Sequence, residues 1–262
     1  MKIRTLIAGY VLALALFLFA QRHPGSSSQT GFHTVVDLTH SIDAPAPASE
    51  SDGNFSYPVR TVASIEKDES AVHSRFLPPQ FGTRIDAPAR FAPGLWTVDQ
   101  IPTERLIAPM VVLDVSSNVK NHPDYQISVK DIAQWELAHG QIPLGSVVMA
   151  HTGWDARWTW AGDYRNADRN GTMHYPGYSQ DAARFLVEGR TVLGLGIDTL
   201  GVDHGPSKDF PVRQYTLAHS VYQLENVANL DRAPVTGAMV VVAPTKLGTR
   251  SSGPVRILAL VH

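Results

Sequence analysis

The stretch QFGTRIDAPARF, residues 80–91, places Arg84 and Arg90 on either side of Asp86, directly after a Phe-Gly-Thr turn. Its glycine permits a tight turn and its Ala-Pro pair restricts the backbone beyond, which suggests a fixed geometry for the carboxylate and the two guanidiniums. Whether that arrangement is a structural pairing or a site depends on what surrounds it.

Around it lie short, β-branched runs bounded by Gly or Pro: Val35–Leu38, Thr61–Ile65, Met110–Val115, Ser146–Ala150, Val192–Ile197, Ala238–Val242 and Val255–Val261. Several are apolar throughout, as in strands buried on both faces. Helices are predicted from about Val129 to His139, with Ser128 as N-cap, Asp131 at N3 and Gly140 as stop, and from after Ser179 to Gly189. A third is predicted from about Arg213 to Tyr222. The aromatic segment 151–178 reads as a lid or pocket wall. The class is α/β or α+β with a strand-rich core.

The chain has 262 residues, 22 Lys plus Arg against 24 Asp plus Glu, and no cysteine. The near-balance of charge argues against a nucleic-acid partner, which leaves a basic footprint. Without cysteine there is no disulfide, no thiolate nucleophile and no sulfur ligand for a metal. Lys2 and Arg4 precede an apolar run from Leu6 to Ala20, the form of a signal peptide, with an N-terminal anchor as the alternative. Residues 1–20 are therefore expected to direct export to the periplasm or outside the cell. Residues 21–32 form a flexible leader, and the folded domain spans 33–262.

Candidate polar residues stand where apolar runs end: Asp37 and His40; Asp198, Asp203, His204, Lys208 and Asp209; Glu225 and Asn226. Each also has a plain structural role open to it, since Asp before Gly or Pro is common turn chemistry. Trp154, Trp158 and Trp160 suit lid packing as well as a ligand wall. No histidine pair has helical metal-ligand spacing, and neither a G-x-S-x-G nor a G-x-x-x-x-G-K-[ST] motif is present.

Five blocks in order, VVDLTH, FGTRIDAPARF, TVDQIP, GIDTLGVDHGPSKDFPV and LENVANLD, resemble the cyclase family of metal-dependent hydrolases, which includes bacterial kynurenine formamidases and isatin hydrolases. The resemblance runs from about Thr34 to Val261. It implies a single-domain α/β fold with a barrel-like core and flanking helices, assembled at least as a homodimer. The family pattern His-x-Gly-Thr-His-x-Asp-x-Pro-x-His, a later His and a Glu before Asn hold zinc or manganese and supply the acid/base. On this chain the corresponding positions are Gln80, Arg84, Asp86, Arg90, Arg213 and Glu225. Asp86 and Glu225 keep their ligand type. Arg90 takes the acid/base position, so the catalytic residue is open, with His40, His204 and His219 the nearby imidazoles.

Arginine stays protonated and offers only donors, so it neither ligates a metal nor shuttles protons. No metal cofactor is expected unless the family centre survives. Arg84, Arg90 and Arg213 are expected to surround Asp86 and Glu225 with one positive charge to spare. That charge, with Gln80 and Trp154, would hold a small anionic or aromatic molecule. Two functions follow: a non-catalytic, small-acid-binding relative, or an active hydrolase of an N-formyl, amide or lactam substrate using an altered site.

Overall fold

Period-two alternation sorts the side chains of the central strands into two cores. In β5 (Ile107–Asp114) Met110 and Val112 join one core while Val111 and Leu113 join the other. In β7 (Val147–His151) Val147 and Met149 part in the same way from Val148 and Ala150. β9 (Gly194–Ile197) sends Leu195 and Ile197 to the second core and only glycines toward the first. There the Tyr222 ring and the Met149 sulfur stand so close that any Cβ on Gly194 or Gly196 would overlap them.

The computed structural model describes residues 31–42, 59–63, 72–75 and 80–262. The expected signal or anchor at 1–20 and most of the leader at 21–32 lie outside the described residues. Among those described, no helix is long and apolar enough to cross a membrane. Thr34–Val261 form one compact unit.

The remaining main-sheet strands are β1 (Thr34–Asp37), β4 (Arg84–Asp86), β10 (Tyr222–Glu225), β11 (Ala238–Pro244) and β12 (Ser252–Val261). The order is β1-β12-β11-β5-β7-β9-β10-β4, and β12 pairs again with β4. β12 achieves this by its length. Ser252–Pro254 face β4, Leu258–Val261 face β1, and the other edge runs along β11. Seven strands, β12-β11-β5-β7-β9-β10-β4, thus close into a barrel. The first core is its interior; Ile85, Met110, Val112, Val147, Met149, Leu224 and Ile257 fill it. A separate hairpin pairs β2 (Val59–Ala63) with β3 (Val72–Arg75), so the predicted run Thr61–Ile65 begins earlier, and residues 64–65 lie outside the described set. A short parallel pair joins β6 (Gln126–Ile127) to β8 (Gly177–Tyr178).

The second core lies between the barrel and the helices, of which the longer are α2 (Val129–His139), α4 (Gln180–Arg190) and α5 (Pro211–Ala218). The short ones are α1 (Ser116–Val119) and α3 (Ala161–Arg165). α2 starts on the predicted capping box: Ser128 N donates to Asp131 Oδ2 at 2.7 Å, and Asp131 N to Ser128 Oγ at 3.4 Å. α4 runs one residue past its predicted end, to Arg190. The third helix differs more: it starts at Pro211 and stops at Ala218 instead of reaching Tyr222. Ser220, at φ 60°, turns the chain, and Tyr222 opens β10 because its ring and Leu224 are needed inside the barrel.

Candidate active site

With Ile85, Tyr222 and Leu224 inside the barrel, alternation turns Arg84, Asp86, Gln223 and Glu225 to the opposite face. The antiparallel register of β4 and β10 sets Arg84 opposite Glu225 and Asp86 opposite Gln223. Arg84 forms an ion pair with Glu225, and its Nη2 also donates to the Leu200 carbonyl at 2.6 Å. From α5, Arg213 Nη2 donates to Glu225 Oε1 at 2.9 Å. Glu225 is therefore held between two guanidiniums. Arg90, at the end of the 3-10 turn Pro88–Arg90, pairs with Asp86.

Arg84, Arg213, Asp86 and Glu225 are all buried, whereas 16% of the Arg90 side chain is exposed. Burial pushes the Asp86 carboxyl up, but Arg90, Arg84 and Arg213 outweigh it and hold the group below its ordinary value. The expected gathering of three arginines around two carboxylates is thus what the fold builds.

The spare positive charge is not there. Asp203, buried at the start of the Arg213 segment, accepts from Val212 N at 2.8 Å and Arg213 N at 3.1 Å. Burial raises its pKa, with the Arg213 charge and both amide bonds opposing that rise. Pro211 opens α5 without an N–H, so Asp203 caps the next two amides from a distance. With it, three carboxylates face three guanidiniums. Arg213 also fixes its neighbour: a Cβ on Gly201 would collide with Nη2 of the guanidinium.

His40 borders this centre. Its backbone N–H donates to Thr83 Oγ at 3.0 Å, and Thr83 Oγ donates to the Asn226 carbonyl at 2.6 Å. Its ring stacks on Trp158 at 3.9 Å and 7°, and Trp158 meets Tyr164 edge-on. Burial lowers the His40 pKa to about 4, so the imidazole is neutral at physiological pH. Its Nε2 has no hydrogen-bond partner among the described residues. The other two imidazoles fit less well. His204 lies half-buried in a turn, and His219 is exposed, with its Nδ1 2.7 Å from the Tyr215 carbonyl. Trp154, expected to face a ligand, is 1% exposed; its indole N–H donates to the Tyr164 carbonyl and Arg157 covers its face. The half-buried indole of this loop is Trp158 instead.

A second polar cluster was not legible in advance. His151, Asp155 and Asp198 each bring a ligand atom to within 4.8 Å of the others. Asp198 is fully buried and pushed up to about 6, chiefly by burial, despite hydrogen bonds from Thr152 and Trp154.

The profile described as "Putative cyclase" matches residues 36–204. The chain belongs to the cyclase family. It is 35% identical to the isatin hydrolase of Roseibium aggregatum over 191 residues, covering 69% of this chain and 71% of that one. To the kynurenine formamidase of Paracidovorax citrulli it is 26% identical over 190 residues, covering 68% and 74%. Isatin hydrolase A from Labrenzia aggregata, solved with benzyl benzoate, matches with a TM-score of 0.81 and 31% identity over 87% of this chain and 93% of that one. An isatin hydrolase bound to the product analogue thioisatinate matches with a TM-score of 0.81 and 28% identity over 100% and 99% of the two chains. The barrel with flanking helices is this family's fold.

The cyclase family also implies a metal, and the residues at its place do not fit one. Gln80 offers only an amide oxygen as ligand, and its backbone carbonyl accepts from Arg84 Nη1. Arg84, Arg90 and Arg213 contribute no lone pair, and their charge already lies on Asp86 and Glu225. Asp86 Oδ1 and Gln223 Oε1 lack a hydrogen-bond partner among the described residues, and Glu225 Oε2 meets the Arg84 guanidinium, which leaves one carboxylate oxygen and one neutral amide oxygen where an ion beside three guanidiniums needs several donors.

Proposed function

We propose that this cyclase-family chain hydrolyses the C–N bond of a small lactam or N-formyl amide, of the kind its isatin-hydrolase and kynurenine-formamidase relatives are named for, through an altered centre. Two observations carry the reading, on a fold shared throughout with isatin hydrolases: a partly exposed guanidinium at Arg90 in the family's acid/base position, and a neutral, unpartnered imidazole at His40, whose backbone is tied to Thr83 beside Arg84.

Hydrolysis needs three things from the protein: a proton acceptor for water, positive charge where the carbonyl oxygen becomes negative, and a proton for the departing nitrogen. His40 Nε2 supplies the acceptor and, once protonated, the donor. Arg90 keeps guanidinium N–H groups beyond the Nη1 used on Asp86, and its partial exposure lets them meet an oxyanion. Water adds its oxygen to the carbonyl carbon, the C–N bond breaks, and the nitrogen leaves protonated, giving an amine and a carboxylic acid. Trp158 offers an apolar wall for a planar substrate.

A second reading, a non-catalytic relative that binds a small acid, is favoured by the replacement of all four family imidazoles with Gln80, Arg84, Arg90 and Arg213. The test is turnover of isatin and of N-formylkynurenine by the purified full chain, before and after chelator treatment, beside His40→Gln. Turnover that survives chelation and falls with His40→Gln supports the first reading. Saturable binding of a product carboxylate without turnover replaces it with the second. Turnover abolished by chelator refutes a metal-free hydrolysis by Arg90 and His40.

A further inference from the structure

The two polar clusters differ in charge balance. Each arginine of the first meets a carboxylate. In the second, Asp155 and Asp198 lie together with His151, and no Lys or Arg among the described residues forms an ion pair with either. Two carboxylates in a mostly buried place call for a cation.

The fold brings the three together by simple means. β7 and β9 are parallel neighbours with Ala150 opposite Ile197, so His151 and Asp198 leave the sheet side by side. Gly153, at φ 75°, then turns the chain into the 3-10 helix Trp154–Arg157, which returns Asp155 to the same spot. Each group is held from behind. Thr152 N, Thr152 Oγ and Trp154 N fix Asp198, and Asn229 N donates to Asp155 Oδ2 at 3.0 Å. Asp155 Oδ1 accepts no hydrogen bond among the described residues. Asp114 Oδ1 lies 3.3 Å from His151 Nδ1, where the outer carboxylate of a metal-bound imidazole stands.

We propose that His151, Asp155 and Asp198 bind one divalent transition metal of the zinc class, at a place distinct from the family position at Asp86 and Glu225. One imidazole and two carboxylates form a mixed N,O set that suits zinc or manganese better than calcium or magnesium, which prefer oxygen alone. Bonds of about 2.0–2.2 Å set tetrahedral ligands about 3.3 Å apart, so side chains already within 4.8 Å need only a small inward movement. Three protein ligands leave a position open to water. The inference does not rest on the catalytic reading above: hydrolysis assigned to Arg90 and His40 stands or falls without it.

The test uses the full chain stripped with chelator and dialysed against zinc alone, with metal measured by plasma mass spectrometry and affinity by calorimetry. Asp155→Asn keeps an acceptor for Asn229 N, and His151→Gln is a second, independent variant; circular dichroism checks that both fold. One equivalent of zinc in the parent, with affinity at least about tenfold weaker in both variants and unchanged in Asp86→Asn, is expected. Absence of zinc from the parent, or its loss in Asp86→Asn while Asp155→Asn keeps it, overturns the assignment. Substituting cobalt gives a visible band that His151→Gln shifts if the imidazole is a ligand; no shift counts against it.

Discussion

Glu225→Gln tests the arginine centre most directly. The variant keeps shape but removes the charge facing Arg84 and Arg213, both buried to within 3% of full enclosure, and turns one of the two accepting oxygens into a donor. Removing one partner from a buried ion pair costs about 3–5 kcal/mol, because the remaining charge stays desolvated without compensation. Here two guanidiniums lose one shared partner, and Arg84 retains only carbonyl acceptors, Leu200 and Gln80. At roughly 2–4 °C per kcal/mol for a domain of this size, the melting temperature should fall by about 6–20 °C. Calorimetry of the parent and variant, with urea titration at room temperature, measures it. A double-mutant cycle with Arg213→Met isolates the pair and should give a coupling of about 1–3 kcal/mol. A drop in melting temperature below about 3 °C with no coupling would mean that Glu225 is not engaged by the arginines, and the argument that they displace an ion would go with it.

Gly201→Ala puts a methyl group into the Arg213 guanidinium and should cost about 2–3 kcal/mol in urea unfolding. Stability should also fall with pH through His40: burial holds it at about 4 in the folded chain against 6.5 unfolded, so the unfolded state takes the proton first as pH drops. The loss is about 3 kcal/mol between about pH 6.5 and 4, and His40→Gln should flatten it in urea titrations at the two ends of that window. Ser128→Ala removes the N-cap of α2 and should lower stability by about 1 kcal/mol, read by thermal denaturation.

What the sequence disclosed follows from how each element is buried. β5 and β7 announce themselves because they carry apolar residues for both cores, and β11 and β12 because they are rich in aliphatic residues, although only alternate ones such as Val240, Val242, Ile257 and Ala259 reach a core. β4 and β10 do not. Arg84-Ile85-Asp86 and Tyr222-Gln223-Leu224-Glu225 alternate charge with hydrocarbon, which resembles a solvated edge, yet both faces are covered. Their polar faces are stable under the helices only because each charge finds its opposite there. That pairing is a property of the register, and a single sequence does not print the register. The end of α5 was missed for a related reason: Tyr222 continues a helical spacing but is claimed by the barrel. Asp203 looked like turn chemistry before His-Gly, and nothing local shows that it caps amides at Val212 and Arg213. Three tryptophans in one loop differ only in which way the chain turns, so Trp154 inside and Trp158 against His40 could not be told apart. The spacing HTGWD, with His151 and Asp155 after an apolar strand, was the available hint of the second cluster.

The arginines keep what a bound ion would do for the fold and give up what it would do for the chemistry. Arg84 ties β4 to β10 through Glu225, Arg213 ties α5 to the same carboxylate, and Arg90 ties the turn after β4 back to Asp86. Those are cross-links between the elements that frame the centre. With Asp203 included the charges sum to zero, so the buried cluster has no electrostatic need of an additional cation, and one placed there would face three guanidiniums. A guanidinium has no lone pair and no open coordination position, so water is not activated on it. Any hydrolysis must take its base from outside the cluster. It must take its oxyanion partner from the one arginine of the three that solvent partly reaches. Arg90 is that residue, and it occupies the position where the family resemblance puts the acid/base histidine. Arg90→Lys therefore separates the roles: a lysine still pairs with Asp86 but loses the planar fork. Stability largely kept with turnover lost would place Arg90 at the reacting carbonyl, whereas turnover unchanged would remove it from the chemistry.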